Sequence, residues 1–184
     1  MNIYIAFLRG INVGGKNIIK MAELKKVLED SGLTGVKTYI QSGNILFKAD
    51  EDEEILGNKI ENEIKENFNL SIPVILRSAS QLNEIVLNCP FSEEEISRAE
   101  AASDAESLYV AVLHNSPLQE NVDILDAYKN QEEEYRVIGR EVFLLFNNSI
   151  RNSKLANNLH RLDKSATVRN WKTINQLNKM TKEI

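Results

Sequence analysis

Three glycines, two cationic side chains and two asparagines fall within residues 8–17, Leu8-Arg9-Gly10-Ile11-Asn12-Val13-Gly14-Gly15-Lys16-Asn17. Glycine lets successive backbone N–H groups turn toward one point, and such concavities hold anions. Arg9 and Lys16 would add positive charge. A second polar stretch, Gln41-Ser42-Gly43-Asn44, would add directional hydrogen bonds. The same residues also suit plain turn chemistry. In that reading Gly14-Gly15 and Ser42-Gly43 are there for positive φ, and Asn12 and Asn44 bond the backbone. Residues 10–17 fit G-x-x-x-x-G-K but carry Asn17 where a nucleoside-triphosphate loop needs Ser or Thr for magnesium. No later strand ends in the aspartate of a second nucleotide motif. The apolar helical pattern starts only near Met21, late for a phosphate-binding helix. A triphosphate loop of that kind is not expected.

A second constellation joins Ser153-Lys154-Leu155 to Ala166-Thr167-Val168-Arg169-Asn170-Trp171-Lys172-Thr173. Asn170 reads as the N-cap of the last helix. With Thr167, Arg169 and Lys172 around it, that helix start would suit an anion. Trp171 would either stack on a base or sugar or anchor the helix in the core, and the anchor is preferred. Neither constellation holds His, Cys, Asp or Glu, so neither offers a general base or metal ligands. His114 and His160 lie far apart without ligand spacing, and Cys89 before Pro90 reads as a small buried residue. These residue types favour binding over proton transfer. No cofactor is named by them, and no metal is expected.

The elements that position these residues follow from hydrophobic periodicity. Residues 2–8 form an apolar run with little alternation, the mark of a central strand covered on both faces. Residues 20–31 place Met21, Leu24, Val27 and Leu28 on one stripe, stopped by Gly32. Residues 36–40 and 45–47 form a hairpin turned at Ser42-Gly43. Residues 52–68 are a second helix with Ile55, Leu56, Ile60 and Ile64 inward. Residues 73–77 are a strand whose leading proline suits an edge. This β-α-β-β-α-β order is that of the split βαβ, or ferredoxin-like, unit. Residues 80–105 read as two helical pieces broken at Cys89-Pro90.

The order then returns. Residues 108–113 are a strand, 118–129 a helix, 135–138 and 142–146 a hairpin joined at Gly139-Arg140. Residues 152–162 are a helix, 167–169 a short extended piece, and a last helix begins at Trp171. No residue-level repeat is evident. The expected fold is α+β: two tandem ferredoxin-like (α/β-plait, βαββαβ) halves with antiparallel sheets. They span residues 1–78 and 107–184, with a helical linker at 79–106. In such a unit the first and second strands are parallel and flank the third. Their C-terminal ends therefore share one sheet edge, which would gather Arg9, Asn12, Lys16, Gln41, Ser42 and Asn44.

The chain has 184 residues, 42% of them apolar, enough for a packed core. Its formal charge is −5. Residues 1–48 carry +4, residues 150–184 carry +6, and the middle carries −15. An acidic protein repels nucleic acid at long range, so any nucleotide or nucleic-acid partner would bind through a local basic surface. A single cysteine excludes an intramolecular disulfide. No apolar run reaches the roughly 18 residues of a membrane span, and the N-terminal residues read as a strand rather than a signal peptide. A cytoplasmic protein, monomeric and away from membranes, is the expectation.

Residues 8–17, then Met21-Ala22-Glu23-Leu24, then Thr38-Tyr39-Ile40-Gln41-Ser42-Gly43-Asn44, and late Ala166-Thr167-Val168-Arg169-Asn170-Trp171, resemble a bacterial family of uncharacterised proteins, domain of unknown function 1697. The resemblance spans essentially the whole chain. It implies a tandem of two α/β-plait domains and a bacterial, cytosolic setting, and it brings no activity, cofactor or catalytic residue. The first expectation is a protein that binds a phosphate-bearing anionic ligand, a nucleotide or a short nucleic acid. Arg9, Lys16, Lys154 and Arg169 would neutralise charge. Asn12, Gln41, Ser42, Asn44 and Asn170 would orient the ligand, with Gly14, Gly15, Gly43 and Thr167 completing the site. The alternatives are an enzyme acting on a small anionic substrate through preorganised electrostatics, and a protein-interaction module using an exposed strand edge.

Overall fold

The computed structural model describes all 184 residues. It is an α+β structure with two four-stranded antiparallel sheets and seven helices. The chain divides into two compact units, one of Met1–Glu84 with Asn175–Ile184 and one of Ile85–Ile174. The divisions fall inside the helices α3 (Ala79–Leu87) and α7 (Trp171–Met180).

In the first unit β1 (Asn2–Leu8), β2 (Thr34–Tyr39), β3 (Asn44–Ala49) and β4 (Val74–Ser78) lie in the order β2-β3-β1-β4. The unbroken apolar run of β1 is explained by this central place. Tyr4, Ala6 and Leu8 join the core under α1 (Met21–Asp30) and α2 (Glu53–Phe68), while Ile5 and Phe7, of opposite parity, are buried as well. From the helices, Met21, Leu24, Leu28, Leu56, Ile60 and Ile64 fill that core. Pro73 precedes β4, which takes an edge where its missing N–H breaks no ladder.

In the second unit β5 (Leu108–Val112), β6 (Glu133–Ile138), β7 (Glu141–Phe146) and β8 (Thr167–Asn170) lie in the order β6-β7-β5-β8. Ala111, Leu113, Val142, Leu144 and Phe146 pack with Leu125 of α5 (Gln119–Asp126) and with Leu155 and Leu159. Tyr135 ties α5 to β6, its hydroxyl donating to Asp126 Oδ1 at 2.7 Å, with the Val122 carbonyl oxygen 3.0 Å from the same hydroxyl oxygen.

The helix expected over 152–162 is instead three short pieces: 3-10 turns at Ile150–Asn152 and Leu159–Arg161 around a four-residue α6 (Lys154–Asn157). The leucine spacing is helical, but the polar residues compete for the backbone. Ser153 Oγ accepts from the Ala156 N–H at 2.9 Å, and Asn158 Nδ2 donates to the Lys154 carbonyl at 2.8 Å. Such local bonds start and stop a helix within one turn.

Before β5, α4 (Glu93–Ala102) begins at a capping box, in which Ser92 and Glu95 each satisfy the other's backbone N–H. Glu95 also holds Arg136 at 2.6 Å, and that guanidinium lies 4.2 Å from the centre of the Phe91 ring. The bond from Arg136, and then that from the Ser92 N–H, lowers the Glu95 carboxyl from 4.5 to about 2. A depressed carboxylate stabilises the fold fully above its unfolded value and loses that contribution as pH falls through its folded value. Melting temperatures of the wild type and Glu95→Gln should therefore differ at neutral pH and converge as pH drops from 4.5 toward about 2. Thermal melts across that range check this.

Candidate functional site

In the first unit the loop after β1 and the hairpin between β2 and β3 meet at one sheet edge. β1 and β2 both pair antiparallel with β3, so they run parallel, and their C-terminal ends lie together. The Leu8 N–H donates to the Gly43 carbonyl at 2.8 Å, and the Arg9 N–H donates to the Pro73 carbonyl at 3.0 Å.

From there the chain turns through left-handed backbone at Gly10, Asn12, Gly14, Gly15 and Asn17. A small closed loop results. The Lys16 N–H donates to the Val13 carbonyl at 3.0 Å, the Asn12 N–H to the Asn17 carbonyl at 3.1 Å, and Asn17 Nδ2 to the Gly10 carbonyl at 3.0 Å.

Asn12 is the hub. Its Oδ1 accepts from the Ile19 N–H at 2.8 Å, and its Nδ2 donates to the Ile19 carbonyl at 3.0 Å and the Gln41 carbonyl at 2.9 Å. One side chain thus closes the loop and fastens it to the hairpin. Asn44, fully buried, donates to the Tyr39 carbonyl at 3.1 Å and to Ser42 Oγ at 3.0 Å. The asparagine amides are therefore engaged in shaping the loops. Lys16, Gln41 and the backbone of Gly10, Gly14 and Gly15 are exposed, and Arg9 and Ser42 are half-buried.

Gly43 has φ +80°, and a Cβ there would lie 2.7 Å from Leu8 Cβ and 2.8 Å from Ile11 Cδ1. The hairpin can approach β1 this closely only without a side chain at that position. At Gly10, Gly14 and Gly15 a Cβ would meet open space, so positive φ alone selects glycine there. Met21 opens the first helix, several residues beyond Lys16, and the intervening chain is the closed loop just described. This is not the glycine loop and helix N-terminus that cradle a triphosphate.

The second constellation lies in the second unit. Lys154 is exposed at the start of α6. Thr167 is buried and donates from Oγ1 to the Ser165 carbonyl at 2.9 Å. Arg169 is 8% exposed, and its Nη1 donates to the Val168 carbonyl at 2.9 Å. Burial lowers its guanidinium to about 10, still charged at neutral pH. Asn170 Oδ1 accepts from the Thr173 N–H at 2.8 Å, the N-cap bond its position implied. Trp171 is half-buried, its ring 6.4 Å from that of Phe143, and Lys172 is paired with Glu106 at 2.7 Å. Thr167 and Arg169 are thus held in the fold rather than presented to solvent.

Sequence reasoning passed over Arg77, which is 0% exposed. Its Nη1 donates to the Leu76 carbonyl at 2.7 Å and lies 3.8 Å from Glu53 Oε1. Arg77 stands opposite Ile5 of β1, and Arg169 stands opposite Val110 of β5. Each is on the last strand of its unit, each bonds the carbonyl before it, and each is followed by an N-cap, Ser78 or Asn170. The trace of this correspondence in the chain is the pair Leu76-Arg77-Ser78 and Val168-Arg169-Asn170.

The groups with sharply shifted acidity, Glu95, Tyr135 and Arg169, belong to the second unit and lie there in structural pairs or in burial. Cys89 is half-buried, and desolvation raises its thiol, the opposite of an activated nucleophile. No cluster of His, Cys, Asp or Glu is arranged to hold a metal ion. No helix is long and apolar enough to cross a membrane.

The two sheets and their element order define an α+β protein whose most distinctive feature is the stitched loop pair at the edge of the first sheet. The chain belongs to DUF1697, a family of proteins of unknown function whose model matches residues 1–143. The solved structure of the conserved bacterial protein SP0830 from Streptococcus pneumoniae is similar, with a TM-score of 0.75 and 24% sequence identity. The match covers 97% of this chain and 98% of that one, and at this identity it speaks for the fold alone. No curated protein matches the chain.

Proposed function

We propose that each unit is a ferredoxin-like split βαβ, and that the loop edge of the first unit binds a phosphate-bearing anion, a nucleotide or a short nucleic acid. The observation that carries the binding reading is the bond from Asn12 Nδ2 to the Gln41 carbonyl. It fastens together two loops from chain stretches that lack acidic side chains, residues 1–22 and 31–49. Arg9 and Lys16 would neutralise the ligand's charge. Gln41, Ser42 and the exposed backbone N–H groups of the glycine loop would orient it. The asparagines would act indirectly, by holding that loop in shape before the ligand arrives, which reduces the ordering cost of binding. With no His, Cys, Asp or Glu in residues 8–20 or 40–44, the lining favours binding over proton-transfer catalysis. Lys154, Thr167, Arg169 and Asn170 are left out of this site, because three of the four already serve the second unit's own structure.

A thermal-shift series with pyrophosphate, ribose 5-phosphate, nucleoside monophosphates and a short oligonucleotide tests this. A ligand at about a hundred times its Kd adds about 2.7 kcal/mol. That is roughly 5–10 °C for a chain of this size. The rise should be concentration-dependent in the wild type and absent in Arg9→Ala, Lys16→Ala. No rise with any of these ligands at millimolar concentration would contradict the reading.

A further inference from the structure

Val13, Ile18 and Ile40 are 64%, 62% and 49% exposed, three β-branched aliphatic side chains at the edge that carries Arg9 and Lys16. Each is next in sequence to a residue joined at the Asn12 hub: Val13 follows Asn12, Ile18 precedes Ile19, and Ile40 precedes Gln41. Single exposed aliphatic residues are ordinary on a protein surface. Three exposed ones flanking a single hydrogen-bonded hub are brought to one sheet edge by it.

Ile40 is unusual in a second way. Its φ is +50°, a left-handed conformation that β-branched residues adopt at a cost of about 1–3 kcal/mol. Glycine or asparagine would make the same turn without strain, and asparagine already does so at positions 12 and 17. Turn geometry does not account for isoleucine at this half-exposed position.

Building on the anion-binding reading, we infer that the ligand is a nucleoside phosphate whose heterocyclic base rests on Val13, Ile18 and Ile40 while its phosphate meets Arg9 and Lys16. The charge pattern selects this occupant. The patch is bordered by cations on chain stretches without carboxylates, which complements an anion that also carries a flat apolar group. Burying a base against aliphatic side chains removes apolar surface from water on both partners. A sugar phosphate offers only the anion.

The test uses the full-length protein with 13C-labelled Ile and Val methyl groups, titrated in parallel with AMP and ribose 5-phosphate. An aromatic base moves nearby methyl resonances upfield by its ring current. AMP should shift the methyl groups of Val13, Ile18 and Ile40 and bind at least about ten-fold more tightly than ribose 5-phosphate. In Val13→Ser, Ile18→Ser, AMP affinity should fall to that of ribose 5-phosphate, and ribose 5-phosphate affinity should stay unchanged. Ile40→Asn keeps the turn, so it separates loss of the patch from loss of the fold. Equal binding of the two ligands, with no methyl shifts, would overturn the base contact and leave the phosphate reading standing. Binding of neither ligand would overturn both. Concentration-dependent self-association that disappears in the double serine variant would also overturn the proposal, by assigning the patch to a second copy of the chain.

Discussion

Replacing Gly43 by alanine is expected to lower the melting temperature by roughly 10 °C, through a loss of about 3–4 kcal/mol. Two independent terms add. Alanine at φ +80° costs about 1–2 kcal/mol over glycine. The new Cβ would also sit 2.7 Å from Leu8 Cβ and 2.8 Å from Ile11 Cδ1, both in fully buried side chains that cannot swing away. Overpacking of this kind costs about 1–3 kcal/mol. The backbone cannot retreat cheaply either, since the Gly43 carbonyl accepts the Leu8 N–H at 2.8 Å. Gly14→Ala is the control: its φ is also positive, but its Cβ would meet open space. It should lose only the conformational term, about 1–2 kcal/mol. If the two variants melt together, the close approach of hairpin and β1 is not what selects glycine at position 43.

Arg77→Ala is expected to be at least as damaging, about 3–5 kcal/mol. The side chain is fully buried, so truncation leaves a large cavity. It also removes the donor to the Leu76 carbonyl and the cation 3.8 Å from Glu53, a carboxylate only 29% exposed. Arg77→Met keeps most of the volume and should recover part of the loss, because an apolar isostere needs no desolvation of charge. Arg77→Lys keeps the charge without the planar fork and should fall between the two. Chemical denaturation of the three variants checks the order. A loss below about 1 kcal/mol for alanine would show that the guanidinium is dispensable to the fold.

Where a signal is local, the chain is readable. The unbroken run 2–8 marks a strand buried on both faces, Pro73 marks an edge strand, and Asn170 marks a helix start. Each depends on a residue's own geometry and its near neighbours. The meeting of the first loop with the hairpin was also legible, because strand order and direction bring the two ends to one edge. Residues 152–162 were not, since Leu155, Leu159 and Leu162 keep helical spacing while Ser153 and Asn158 break the backbone between them. Arg77 escaped notice, and Arg169 read as a counter-charge for a ligand, for another reason. A charged residue reads as surface until the partners that make burial tolerable are visible, and those partners are backbone carbonyls and a glutamate 24 positions away from Arg77. For Asn12 both readings were open in the chain, ligand contact and backbone stitching. Only the three bonds of its amide show how fully the side chain is occupied by the second.

The central claim, that the first unit's loop edge is an anion site, is tested most directly by amide mapping. A 15N-labelled full-length sample titrated with pyrophosphate should show saturable shifts at Gly10, Gly14, Gly15 and Lys16 and at Gln41, Ser42 and Gly43. Thr167, Arg169 and Asn170 should stay unmoved, and Lys16→Ala should weaken the response. Saturable shifts centred away from these loops, or none at millimolar pyrophosphate, would contradict the account. The loops would then stand as turns shaped by Asn12 and Asn44 alone.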